Sequence, residues 1–197
     1  MTRTELEHSR MQGGAAPSRS CRSVRPKPKG ISVLKLYRFA NGKQEYWETW
    51  EDGRGTHTIH WGELGDRGAS RNVRPSLFAK AGKRIQKEID RLLALGFRPI
   101  DLEDHHTLLI QYTVDGMGSA GDVEKRHRLE DRMSETLGWT GLGMCDGGSI
   151  GSGSMEVCCH VVDFALARAV VAQDLAGTEF AGYARIVNEA DQEPDWP

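Results

Sequence analysis

The chain predicts an α+β protein: a small antiparallel sheet packed on one helix, followed by a second domain of β-α-β-β-α-β order. Three observations predict it. Short runs rich in β-branched and aromatic residues are separated by Asn-Gly and Asp-Gly turn signals. One long helical pattern follows them. The second half then alternates strand-like and helix-like segments.

Ile31–Phe39 reads as the first strand, and Asn41-Gly42 turns it back. Tyr46–Trp50 is the second strand, ended by Asp52-Gly53 and Gly55. Thr56–Trp61 is the third. A short fourth strand is placed around Ser70–Arg74. Pro75-Ser76 opens a helix in which Leu77, Phe78, Ala81, Ile85, Ile89, Leu92 and Leu93 recur at helical spacing. Gly96 closes it, with Pro99 just beyond. Lys80, Lys83, Arg84, Lys87 and Arg91 recur every three to four residues and form one basic stripe, diluted by Glu88 and Asp90. Such a stripe is either a solvated helix face or a surface for phosphates.

In the second half His105–Val114 reads as a strand and Asp122 begins a helix through Val123, Leu129, Met133 and Leu137. Gly141–Cys145 is a further strand. Asp146–Gly153, with four glycines, is predicted to be a mobile hairpin loop. Met155–Val162 is a strand, Asp163 caps a helix through Phe164, Ala167, Val171 and Leu175, and Phe180–Val187 is the last strand. This is a split-βαβ, ferredoxin-like plan, which predicts architecture and not activity. The domains are then a disordered basic tail (1–30), the first sheet and helix (31–100), the acidic α+β domain (101–190) and a short tail (191–197).

The net charge of −2 hides a division. Residues 1–100 hold 20 Lys+Arg and 10 Asp+Glu, whereas residues 101–197 hold 6 and 18. The first half is expected to attract anions and the second to attract basic surfaces. There is no long apolar run and no secretory h-region, so a cytoplasmic protein without membrane contact is expected. The cysteines Cys21, Cys145, Cys158 and Cys159 form no C-x-x-C pair and read as reduced, half-buried thiols. Cys158-Cys159-His160 places a thiol and an imidazole on one face of an apolar strand, which reads as core. No nucleophile elbow, metal motif, phosphate loop or paired-carboxylate signature is present. A non-catalytic protein that needs no cofactor is therefore expected.

Residues 31–100 resemble the WGR domain, found beside catalytic domains in poly(ADP-ribose) polymerases and in stand-alone bacterial proteins. The resemblance rests on the Leu34–Phe39 and Tyr46–Trp50 strands, Trp61-Gly62, Leu64-Gly65, Gly68, and the helix ending at Leu95-Gly96-Phe97. It implies contact with DNA, with Trp61 against a terminal sugar or base and Arg67, Arg71 and Arg74 near the backbone. Glu63 stands where the motif has its arginine, and a carboxylate there repels phosphate. On the residues alone, Trp61 is either core or a ligand contact. The partner classes that follow are nucleic acid for the basic half, or a basic protein for the acidic half. In the second case the chain would be an immunity protein or antitoxin, with an ADP-ribosyltransferase toxin as one candidate target.

Overall fold

A computed structural model describes residues 33–52, 54–75 and 81–192. The expected basic tail, Leu77, Phe78, Lys80 and the last five residues lie outside them. Across these residues the fold is mixed α/β, with two four-stranded antiparallel sheets and three α-helices.

The first sheet is a meander of β1 (Leu34–Ala40), β2 (Lys43–Glu51), β3 (His57–Glu63) and β4 (Ala69–Val73). Asn41, at φ 54°, and Gly42, at φ 73°, make the tight β1–β2 turn. Because opposed residues share a face, Leu36, Trp47, Thr49, Ile59, Trp61 and Arg71 lie on one side. Helix α1 (Ala81–Ala94) covers that side, burying Ala81, Ile85 and Leu92 with Leu36, Trp47, Ile59, Val73 and Phe97. It ends at Gly96, where Phe97 N–H reaches the Leu92 carbonyl at 3.0 Å and Gly96 N–H the Leu93 carbonyl at 3.1 Å. The chain then returns to β1, since Arg98 bridges Tyr37.

The second sheet runs β6 (Gly143–Gly151), β7 (Ser154–Val161), β5 (His106–Thr113), β8 (Arg185–Asn188) across its width. Helices α2 (Ala120–Trp139) and α3 (Phe164–Leu175) pack on the face that carries Leu108, Ile110, Tyr112, Met155, Val157, Cys159 and Val161. A capping box starts α2: the Ser119 hydroxyl accepts from Asp122 N–H, and the Asp122 carboxylate accepts from Ser119 N–H. The helix thus begins two residues before Asp122. Asp163 caps α3 as expected.

Two sequence expectations are corrected here. Asp146–Gly153 is not a loop: β6 runs through Gly151, and only Ser152-Gly153 turn. One of its glycines serves backbone packing. A Cβ at Gly148 would lie 2.2 Å from the Glu156 carbonyl oxygen, so the strand approaches β7 only without a side chain there. The last strand is shorter than Phe180–Val187 and begins at Arg185. Phe180 instead turns into the core, where its carbonyl accepts from the Tyr112 hydroxyl at 2.7 Å.

The two halves share one core. Tyr37, Tyr46 and Leu64 belong to the cluster built from α2, α3 and the second sheet. The tyrosines project from the face of the first sheet opposite α1. That sheet is therefore covered on both faces, by α1 on one and by the second half on the other.

Candidate nucleic-acid interface

The basic stripe is placed by the helix that carries it. The apolar side of α1 is spent on the sheet, so at 100° per residue Lys83, Arg84, Lys87 and Arg91 fall on the outward side, and all four are exposed. From Lys83 to Arg91 the stripe is about 12 Å long, since each residue rises about 1.5 Å. Several cations elsewhere are bound to carboxylates. Lys35 pairs with Glu48, Arg38 with Glu45, Arg71 with Glu88, Arg126 with Glu130, Arg128 with Glu179 and Arg132 with Asp174. Among the described residues the four stripe cations have no such partner.

The remaining predicted contacts divide into groups. Trp61 is 37% exposed, on the side that carries α1. It is therefore not a core residue in the sense of Trp47, its cross-strand partner, which is 4% exposed. Arg71 shares this side, but its guanidinium is engaged by Glu88 of α1 at 2.5 Å. Glu63 also shares it, opposite Glu45, so two carboxylates face each other across the ladder. Arg74 is exposed just beyond β4. Arg67 is separate: it sits in the turn after β3 and lies 3.9 Å from Glu135 on α2. The structure thus joins Lys83, Arg84, Lys87 and Arg91, sets Arg71 against their helix, keeps Trp61 on the sheet face that the helix covers, and leaves Arg67 against the acidic half.

Sequence reasoning missed a buried polar network on the other face of this sheet. His60 is 1% exposed and Glu48 5%. His60 Nδ1 lies 2.7 Å from Glu48 Oε1, and Nε2 lies 2.7 Å from the Arg67 carbonyl and 2.9 Å from the Tyr46 hydroxyl. A carbonyl only accepts, so the network assigns a proton to Nε2. Lys35 Nζ sits 3.2 Å from the second Glu48 oxygen. The Tyr46 hydroxyl also reaches the Asp66 and Trp139 carbonyls, at 3.1 and 3.3 Å. Trp139 packs edge-on against both His60 and Trp50. Gly65 N–H donates to the Thr140 carbonyl, the Tyr37 hydroxyl to the Gly141 carbonyl, and the Gln44 amide to Asp163. The available signal was His60 itself, an ionisable residue between Ile59 and Trp61 on a strand; its place opposite Glu48 is set by the register.

Burial raises Tyr37 and Tyr46 well above the ordinary phenol range, and the Glu48 charge raises them further. Both remain neutral donors. The network thus positions; it does not open to a substrate. Surface clefts among the described residues include one of about 620 Å³ between α3 and β8 and one of about 460 Å³ beside the β1–β2 turn. Among the described residues no group of three or more His, Cys, Asp or Glu side chains is placed to hold a metal ion. No helix among them is long and apolar enough to cross a membrane.

The first sheet separates the stripe on α1 from the acidic half, so the two surfaces face away from each other apart from Arg67 and Glu135. No protein-family model, curated protein or solved structure matches the chain.

Proposed function

We propose that the chain is a non-catalytic binding protein whose first half contacts nucleic acid through the outer face of α1. The observation that carries this reading is the set of four exposed, carboxylate-free cations on one helix face. The stripe is about as long as the major groove is wide, about 12 Å. Phosphates bridged by Lys83, Arg84, Lys87 and Arg91 supply affinity without sequence readout. Trp61, on the sheet face that α1 covers and over a third exposed, stacks on an unpaired base or end. The meander-plus-helix order supports the WGR resemblance, and the β6-β7-β5-β8 order supports the split-βαβ plan.

Fluorescence anisotropy with intact, nicked and single-stranded DNA over a salt series tests this. Four phosphate contacts give a slope of about −3.6 in log K against log salt. The double variant Lys83→Ala/Lys87→Ala is expected to lower its magnitude by about 2. No binding at low salt, or a slope untouched by the variant, overturns the reading.

A second reading has its own observation. Glu124, Asp131 and Glu135 are exposed along one side of α2, with Arg128 among them paired to Glu179. This suits a basic protein partner, as an antitoxin would require. Purification from the native host with and without nuclease separates the two: a nuclease-resistant basic protein partner favours the second.

A further inference from the structure

Cys145 on β6 stands directly across the ladder from Cys159 on β7. Both face the helices. Cys159 is fully buried among Val157 and Val161, and Cys145 is half-buried at the rim of the same cluster. Opposed residues of an antiparallel pair have Cα atoms about 4.5–5.5 Å apart. That interval lies inside the roughly 4.4–6.8 Å that a disulfide spans. The Cys159 side chain interacts with the Cys145 thiol, which also lies 3.9 Å from the Gly147 carbonyl.

The surroundings permit the small approach that bonding needs. The register slips between Cys145 and Gly147, so the ladder is irregular at Asp146, next to the thiol. β6 is also the edge strand of its sheet, with no strand paired to its outer side among the described residues. Cys158, though adjacent to Cys159, points to the opposite face and opposes Gly147 and Leu109. It is therefore not a geometric substitute.

We propose that Cys145 and Cys159 are a redox-active dithiol that a peroxide closes into a cross-strand disulfide. The Cys145 thiolate attacks one oxygen of hydrogen peroxide, and the O–O bond breaks. Cys145 becomes a sulfenic acid, and the departing hydroxide takes a proton to become water. The Cys159 sulfur then attacks the Cys145 sulfur. The S–S bond forms, the S–O bond breaks, and hydroxide leaves with the Cys159 proton as a second water. Two electrons pass from the dithiol to the peroxide, and a dithiol reductant reverses the step.

The order of attack follows from position. Cys145 is the thiol at the rim, and the interaction with the Cys159 side chain holds its pKa below the ordinary thiol value despite its burial and the nearby Glu130 and Asp146 charges. Cys159, sealed in the core, meets peroxide only through its partner. Fast resolution by Cys159 protects Cys145 from further oxidation.

The test is peroxide treatment of the full folded chain, followed by alkylation with iodoacetamide in denaturant and peptide mapping. The expected product is a monomer lacking two alkylatable thiols, with Cys145 linked to Cys159. Dithiothreitol restores both. Cys158→Ser is expected to keep the link. Cys159→Ser is expected to lose it and to accumulate a Cys145 sulfenic acid trapped by dimedone. A link through Cys158 or Cys21, a link between chains, or no link at all overturns the proposal. Should Cys159→Ser fail to fold, the wild-type map decides alone.

Discussion

Gly141 shows how much one missing side chain can carry. It lies at φ 70°, and a Cβ there would sit 2.3 Å from the Tyr46 ring. Gly141→Ala is expected to cost about 2–4 kcal/mol, combining overpacking with a left-handed backbone. Gly138, three residues earlier within α2, has nothing within 4 Å of its missing Cβ. Gly138→Ala is expected to add about 0.5–1 kcal/mol. Urea denaturation of the two variants checks both signs. Tyr46 itself is next in rank, since its hydroxyl meets His60 and the Asp66 and Trp139 carbonyls. Tyr46→Phe strands those buried groups and is expected to cost about 1–3 kcal/mol. Glu63→Arg acts differently: it removes a like-charge pair with Glu45 and adds a cation on the side of Trp61. DNA affinity by anisotropy is expected to rise; an unchanged value would show that Glu63 does not limit contact.

At the scale of elements, α1 has separate duties on its two sides. Its apolar side seals the first sheet, and its outward side is free to be basic at no packing cost. Lys87→Glu is therefore expected to leave thermal stability within about 0.5 kcal/mol, as surface changes do. Its effect on DNA affinity should exceed that of Arg74→Glu, which lies off the helix. The legibility of elements followed their periodicity. Strands β1 to β4 and helix α1 were readable because turn residues bound each run and the apolar spacing is regular. β6 was misread because Gly147, Gly148, Gly151 and Gly153 look like a loop until β7 is laid beside them. Pairing, not propensity, makes that segment a strand.

Over the whole molecule, the two sheets fold around a shared junction in which buried tyrosines are neutral donors. Burial raises Tyr37 and Tyr46, and it pushes Tyr112 up to about 12. Their folded values lie above the unfolded value of 10.0. Above that pH the unfolded chain sheds protons that the native chain keeps, so stability is full below pH 10 and falls as pH rises through the folded values. Tyrosinate absorbance and circular dichroism are expected to change together in one alkaline transition. Independent transitions for the two halves would contradict the shared core, because Tyr37, Tyr46 and Leu64 would then contribute nothing to the second half.

The amino-acid sequence by itself determined the mixed α/β character, the helix caps at Asp163 and Gly96, the basic stripe and the charge division. These are local properties: periodicity, turn chemistry and composition act within a few residues. Only the tertiary structure decided that Trp61 is half in solvent, that Arg71 is taken by Glu88, and that Arg67 turns toward Glu135. It alone brought His60 to Glu48, Tyr46 to Gly141, and Cys145 to Cys159. Those outcomes depend on register and on which face is covered. Both are set by residues far apart in the chain, whose meeting no local pattern encodes.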